Sequence, residues 1–267
     1  MEEPSRSIDA DASVTPLNER KGLARGVYLL PNLITTGALF SGFYAIIAAM
    51  TGSLENAAIA IVIAGFLDTL DGRIARMTNT QSEFGVQYDS LSDLVAFGVA
   101  PAVLMFSWVL SDLGKIGWMI AFLYMACAAL RLARFNTAPS TIVFFGLASP
   151  MAAGTLAAFV WIWVDNFDPV VSIQFSIFLA AIVTVMAVLM VSNIQYYSPK
   201  NINLKGRVPF IYTLGIVLLF VVIAIYPPGV LLCLGVIYGC SGPIQALLRR
   251  GRSRSIEKGS SESEIPQ

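Results

Sequence analysis

Eight stretches of this chain stay apolar for roughly 20 residues at a time, the helix length needed to cross a hydrocarbon core about 30 Å thick. They fall near residues 28–50, 55–75, 88–110, 116–134, 143–164, 170–192, 208–226 and 229–247. Of the 267 residues, 56% are hydrophobic and 13% are charged, whereas soluble domains carry roughly a quarter charged residues. The mean hydropathy, +0.72, points the same way. The sequence therefore predicts an all-α, polytopic membrane protein with about eight transmembrane helices.

Polar segments flank this block. Residues 1–27 are polar, mixed in charge and carry Pro4 and Pro16, which reads as a disordered arm. No basic stretch leads directly into a short apolar core with a small-residue cleavage site, so the arm is not a cleavable signal. Residues 28–247 form the expected transmembrane domain. Residues 248–267 begin with Arg249, Arg250, Arg252 and Arg254, turn Ser- and Glu-rich, and read as a basic, disordered tail. With both termini on one side, every Lys and Arg except Lys115 falls on that side. Basic residues favour the cytosolic face, so both termini are expected there. The tail is either a topology signal or a contact for anionic headgroups.

Four aspartates stand within two adjacent spans: Asp68 and Asp71 near the end of the second, Asp89 and Asp93 near the start of the third. Ionised groups at membrane depth are costly and mark function. On a helix Asp68 and Asp71 lie about 60° apart around the axis, and Asp89 and Asp93 about 40°. Each pair shares a face, so neighbouring helices would bring all four together near the cytosolic interface. Four acids with few bases beside them repel one another unless a cation intervenes, and a divalent metal is the simplest cation. The chain has no histidine, and oxygen-only ligation favours Mg²⁺, Mn²⁺ or Ca²⁺ over zinc. Cys127, Cys233 and Cys240 sit singly within spans and read as core residues.

The residues between the acids are small or basic. Gly72 leaves the helix surface bare beside Asp71, where a ligand can approach the backbone. Ala75 extends that track, and Arg76 can direct two donors at phosphate oxygens. Gly85 either relaxes the loop or admits a ligand group. Close helix packing is the competing reading for Gly72, Ala75 and Gly85, and interfacial anchoring for Arg76.

The spacing D-x2-D-G-x2-A-R-x8-G-x3-D-x3-D fixes eight positions over residues 68–93. It resembles the signature of the CDP-alcohol phosphatidyltransferases, with every position filled. The resemblance implies a six-helix core, followed here by two further C-terminal helices, and a homodimer. It also implies two divalent ions, Mg²⁺ or Mn²⁺, held by Asp68, Asp71, Asp89 and Asp93, with Asp93 acting in addition as base on the acceptor hydroxyl. Gly72, Ala75, Arg76, Ser82 and Gly85 would hold the lipid donor, CDP-diacylglycerol. On the same ground Asn32 and Thr35, at the opening of the first span, would contact its diphosphate.

That signature reads the donor and leaves the acceptor open. Further segments resemble the serine-using bacterial branch of the family: Leu30 to Gly37, Arg131 to Asn136, Phe145 to Pro150, and Ser192 to Ser198. In that branch a proline often precedes the Ser149-Pro150 pair, where this chain has Ala148. L-Serine brings a carboxylate that needs a cation beside it. Arg131 and Arg134, with Asn136, are the expected acceptor contacts; membrane anchoring is the competing reading of the two arginines. Tyr196 and Tyr197 fit an interfacial aromatic belt. The expected protein is an enzyme of the bacterial inner membrane, making phosphatidylserine and CMP, with no nucleic-acid partner. A sibling using glycerol phosphate or inositol phosphate is the nearest alternative. A cation-coupled transporter is the alternative from another class, although no acidic relay continues through the other half of the bilayer.

Overall fold

The computed structural model describes residues 17–137, 144–167, 171–196 and 225–262. Inside lipid no water satisfies backbone N–H and C=O groups, so a spanning segment closes its own hydrogen bonds as a helix. Accordingly, the described chain is almost all helical. Helix α1 covers Leu17–Met50 and α2 Leu54–Met77. A third span runs through Glu83–Leu113 as α3 (Glu83–Asp93), a π-helical segment (Leu94–Val99), α4 (Ala100–Met105), a second π segment (Phe106–Leu110) and a 3₁₀ turn. Helices α5 (Lys115–Thr137), α6 (Ser149–Asn166), α7 (Ile173–Val191) and α8 (Pro227–Glu262) follow.

Leu30–Met50, Glu83–Leu113, Lys115–Thr137, Ile173–Val191 and Pro227–Gln245 are long and apolar enough to cross a membrane. Helices α2 and α6 coincide with two further expected spans; α2 carries the acids and α6 closes on Asp165 and Asn166. The expected span at 208–226 falls largely outside the described residues, as do residues 1–16, 197–224 and 263–267.

Helical backbone extends beyond the expected boundaries at both ends. The arm expected to be disordered up to residue 27 is helical from Leu17, and the tail is helical as far as Glu262. Elongating an existing helix adds one hydrogen bond per residue fixed, and the Leu, Glu, Arg and Lys residues of these segments are good helix formers. Within the third span the two π segments depart from regular α periodicity. Pro101 lacks an N–H and cannot complete the α ladder, and just before it the Ala100 N–H reaches back to the Val95 carbonyl.

Small residues set the packing. Helix α1 lies on α2, α2 on α6, α5 on α7 and α6 on α8. Ala45, Ala57, Ala64, Ala100, Ala128 and Ala157 are fully buried, and small side chains let membrane helices approach closely. At Gly42 a Cβ would come within 2.8 Å of the Ala96 Cα, so α1 and the first π segment meet backbone to backbone. The Ser41 hydroxyl donates to the Ala60 carbonyl at 2.7 Å, tying α1 to α2. A two-residue antiparallel clasp, β1 (Phe144–Phe145) with β2 (Gln195–Tyr196), joins the segments beside α6 and α7. Gly146 follows it at φ 79°, against the Met190 carbonyl.

Candidate active site

The acids meet where α2 ends and α3 begins. Asp68, Asp71 and Asp89 each bring a carboxylate oxygen within 4.8 Å of the others. Asp93 lies one turn further along α3, about 6 Å by helix rise, with its carboxyl group beside that of Asp68. Two carboxyl groups in contact need a proton or a cation between their oxygens. All four acids are thus linked, three in one tight group and the fourth through Asp68.

Helix α1 supports this group from the side. The Thr35 hydroxyl donates to Asp71 Oδ2 at 2.6 Å and lies 3.0 Å from the Pro31 carbonyl, so Asp71 is buried yet partnered. The buried Ser92 hydroxyl donates to the Thr35 carbonyl at 3.2 Å, fixing α3 against α1. Thr36 and Tyr88 share a second α1–α3 hydrogen bond at 2.9 Å. Asp89 Oδ1 is different: it is buried and has no hydrogen-bond partner among the described residues. A buried acceptor without a donor is expensive, and a cation satisfies it. That orphan oxygen, in an oxygen-only donor set, fits a hard divalent ion.

A cavity of about 200 Å³ opens beside the acids, bounded by Asn32, Thr35, Asp71, Gly72, Ala75, Arg76, Ser82, Gly85 and Asp89. All seven residues expected to contact the donor therefore line one space. A Cβ on Gly72 would meet nothing within 4 Å among the described residues, so that glycine faces the cavity. Gly85 has the opposite surroundings: a Cβ there would sit 3.1 Å from Ser82 Oγ and 3.5 Å from Asn32 Oδ1. Ser82 caps α3, accepting the Gly85 N–H at 3.0 Å. Arg76 directs its Nε to the Gly72 carbonyl at 2.8 Å, which orients the guanidinium along the cavity wall.

The three expected acceptor residues separate. Arg131 is half-buried and lies within electrostatic reach of Asp93. Its Nη1 donates to Ser149 Oγ at 2.8 Å, while its Nε is buried without an acceptor among the described residues. Arg134 and Asn136 are exposed. Asn136 donates to Ser90 Oγ at 2.9 Å, joining α5 to α3 one residue past Asp89. Thr80 and Gln81, absent from the sequence expectations, also line the cavity. Ser149, fully buried, is the partner of Arg131; the Ser149-Pro150 pair stood out in sequence without revealing that contact.

The model of the CDP-alcohol phosphatidyltransferase family matches residues 28–191, which contain every one of these groups. The chain belongs to that family. Among its relatives in this family, a CDP-diacylglycerol–serine O-phosphatidyltransferase of Helicobacter pylori is 37% identical over 184 residues, covering 67% of this chain and 77% of that protein. The archaetidylserine synthase of Methanothermobacter thermautotrophicus is 36% identical over 170 residues, 62% of this chain and 69% of that one. A CDP-diacylglycerol–serine O-phosphatidyltransferase of Bacillus subtilis is 39% identical over 124 residues, 46% and 70% respectively.

Proposed function

We propose that this chain is a CDP-diacylglycerol–serine O-phosphatidyltransferase, a bacterial phosphatidylserine synthase of the membrane-embedded type. The observation that carries the reading is the setting of Asp93, beside Asp68 and within electrostatic reach of the half-buried Arg131, whose Nε has no acceptor among the described residues. Side-on pairing of a guanidinium with a carboxylate uses the Nε–H. An acceptor carrying a carboxylate thus finds a donor next to the base, as serine requires. Relatives with serine in their names support the same acceptor.

Asp68, Asp71, Asp89 and Asp93 would hold two divalent ions, Mg²⁺ or Mn²⁺, which neutralise the donor's diphosphate. Gly72 and Ala75 admit the nucleotide side of CDP-diacylglycerol, with Arg76 along its phosphates, while the acyl chains stay in the lipid. Arg131 orients the serine carboxylate. Asp93 takes the proton from the serine hydroxyl, whose oxygen attacks the lipid-side phosphorus. A new P–O bond forms as the bond to CMP breaks, giving phosphatidylserine and CMP. A hydroxyl is a poor nucleophile at neutral pH, so a base within hydrogen-bond reach matters. Positioning and charge neutralisation supply the rest of the acceleration. The basic residues favour a cytosolic site in the inner membrane, with both termini on that side, and the family resemblance favours a homodimer.

CMP release from CDP-diacylglycerol in detergent tests the reading, with serine, glycerol 3-phosphate and inositol phosphate offered separately. Serine-dependent, EDTA-sensitive release is expected. Release with another alcohol alone would overturn the acceptor, and release with none would overturn the enzyme. Arg131→Ala is expected to raise the serine KM while CDP-diacylglycerol binding persists.

A further inference from the structure

The C-terminal helix reaches the acceptor side of the site from outside the family-matched residues. Helix α8 packs along α6, where Gly235 lies so close to Thr155 that any side chain would overlap the threonine hydroxyl. Tyr238 comes three residues later, on the same helix face. Its side chain is half-buried, and its phenol oxygen is within electrostatic reach of the Arg131 guanidinium. Tyrosines in membrane helices ordinarily gather at the interface. This span runs Pro227–Gln245, which puts Tyr238 about 10 Å inside its end by helix rise, so an interfacial belt does not account for it.

We propose that Tyr238 is a positioning residue for the acceptor: it fixes the Arg131 guanidinium so that the Nε–H faces the acceptor carboxylate. Among the described residues Arg131 Nη1 donates to Ser149. One tether leaves the guanidinium plane free to turn; a second polar group within electrostatic reach, from another helix, limits that turn. Ordering that side chain before serine arrives lowers the entropy lost on binding. The two groups come from different elements, Ser149 from the first turn of α6 and Tyr238 from mid-α8, and the close Gly235–Thr155 approach holds α8 on α6. The C-terminal helix is thereby part of acceptor recognition, although the family model ends at residue 191. This inference rests on the serine reading above.

The test compares full-length Tyr238→Phe and Tyr238→Leu with the unsubstituted protein in detergent, following CMP release. Serine is varied at saturating CDP-diacylglycerol, and then the reverse. Tyr238→Phe is expected to raise the serine KM about 3- to 10-fold, the range for one lost polar contact, with the CDP-diacylglycerol KM unmoved. Tyr238→Leu is expected to raise it further. In an Arg131→Lys background, where the Nε–H is gone, Tyr238→Phe should add nothing. A serine KM at the parent value in both Tyr238 variants overturns the positioning role, as do equal rises for both substrates, which mark a packing defect. If the unsubstituted protein releases no CMP with serine, the underlying function falls, and the positioning role with it.

Discussion

At one end of the bundle Trp108, Phe159, Trp163 and Phe175 pack with ring centroids 4.4–6.4 Å apart; at the other, Asp68, Asp71 and Asp89 crowd carboxylate oxygens within 4.8 Å. The same helices supply both ends: the third span carries Asp89 and Trp108, and α6 carries Ser149 and Trp163. Aromatic contacts contribute to stability beyond the area they bury, while clustered like charges oppose folding. Stability and chemistry are thus separated along the axis of each helix. Substitutions at the two ends should fail in different ways.

Removing the metal should give the largest separation. EDTA is expected to abolish serine-dependent CMP release and to lower the thermal midpoint, with Mg²⁺ or Mn²⁺ restoring both. An ion present at 100 times its Kd stabilises the folded state by about 2.7 kcal/mol. A midpoint indifferent to cations would show that the carboxylates do not depend on them. Next comes Asp93→Asn, for which turnover should drop roughly 10²- to 10⁴-fold, the usual contribution of a positioned base. Cation-dependent stabilisation should partly survive, since Asp68, Asp71 and Asp89 remain; near-normal turnover would remove Asp93 as the base.

The aromatic end should show the converse. Trp163→Ala is expected to cost about 3–5 kcal/mol of stability, read as a lower thermal midpoint in detergent. Serine KM and turnover per folded molecule should stay close to the parent values. A selective rise in serine KM would mean that the two ends are coupled. The smallest effect separates stability from binding at one residue. Gly72→Ala places its methyl in open space and gains up to about 1 kcal/mol of helix propensity, so the midpoint should hold or rise. The CDP-diacylglycerol KM should nonetheless increase if that space is the proposed donor cavity.

The features legible in the sequence were those carried by local spacing. Asp68 with Asp71, and Asp89 with Asp93, follow from helical periodicity, and Gly72 and Arg76 follow from their distance to Asp71. Contacts across the chain left no such trace. Arg131 and Ser149 are 18 residues apart and Tyr238 lies far beyond both, so nothing local distinguishes Arg131 from Arg134. Burial does distinguish them, and burial is a property of the packed bundle. Gly72 and Gly85 read alike in the sequence. One faces an open cavity and the other crowds Ser82 and Asn32, a difference set by what α1 and the α3 cap place beside them.

The π segments also bear on how the third span tolerates changes in length. A π-turn is, in effect, one residue inserted into an α-helix, and each residue advances an α-helix by about 100°. Asp93 and Trp108 stand on either side of Leu94–Val99 and face their partners with that surplus residue in place. Deleting one residue within Leu94–Val99 would let the segment relax to regular α geometry with both ends still facing inward. The same deletion within Ala100–Met105 would swing the aromatic end away from α6 and α7. Evolution can therefore shorten this helix without loss of phase at the π segments, where an extra residue is already stored.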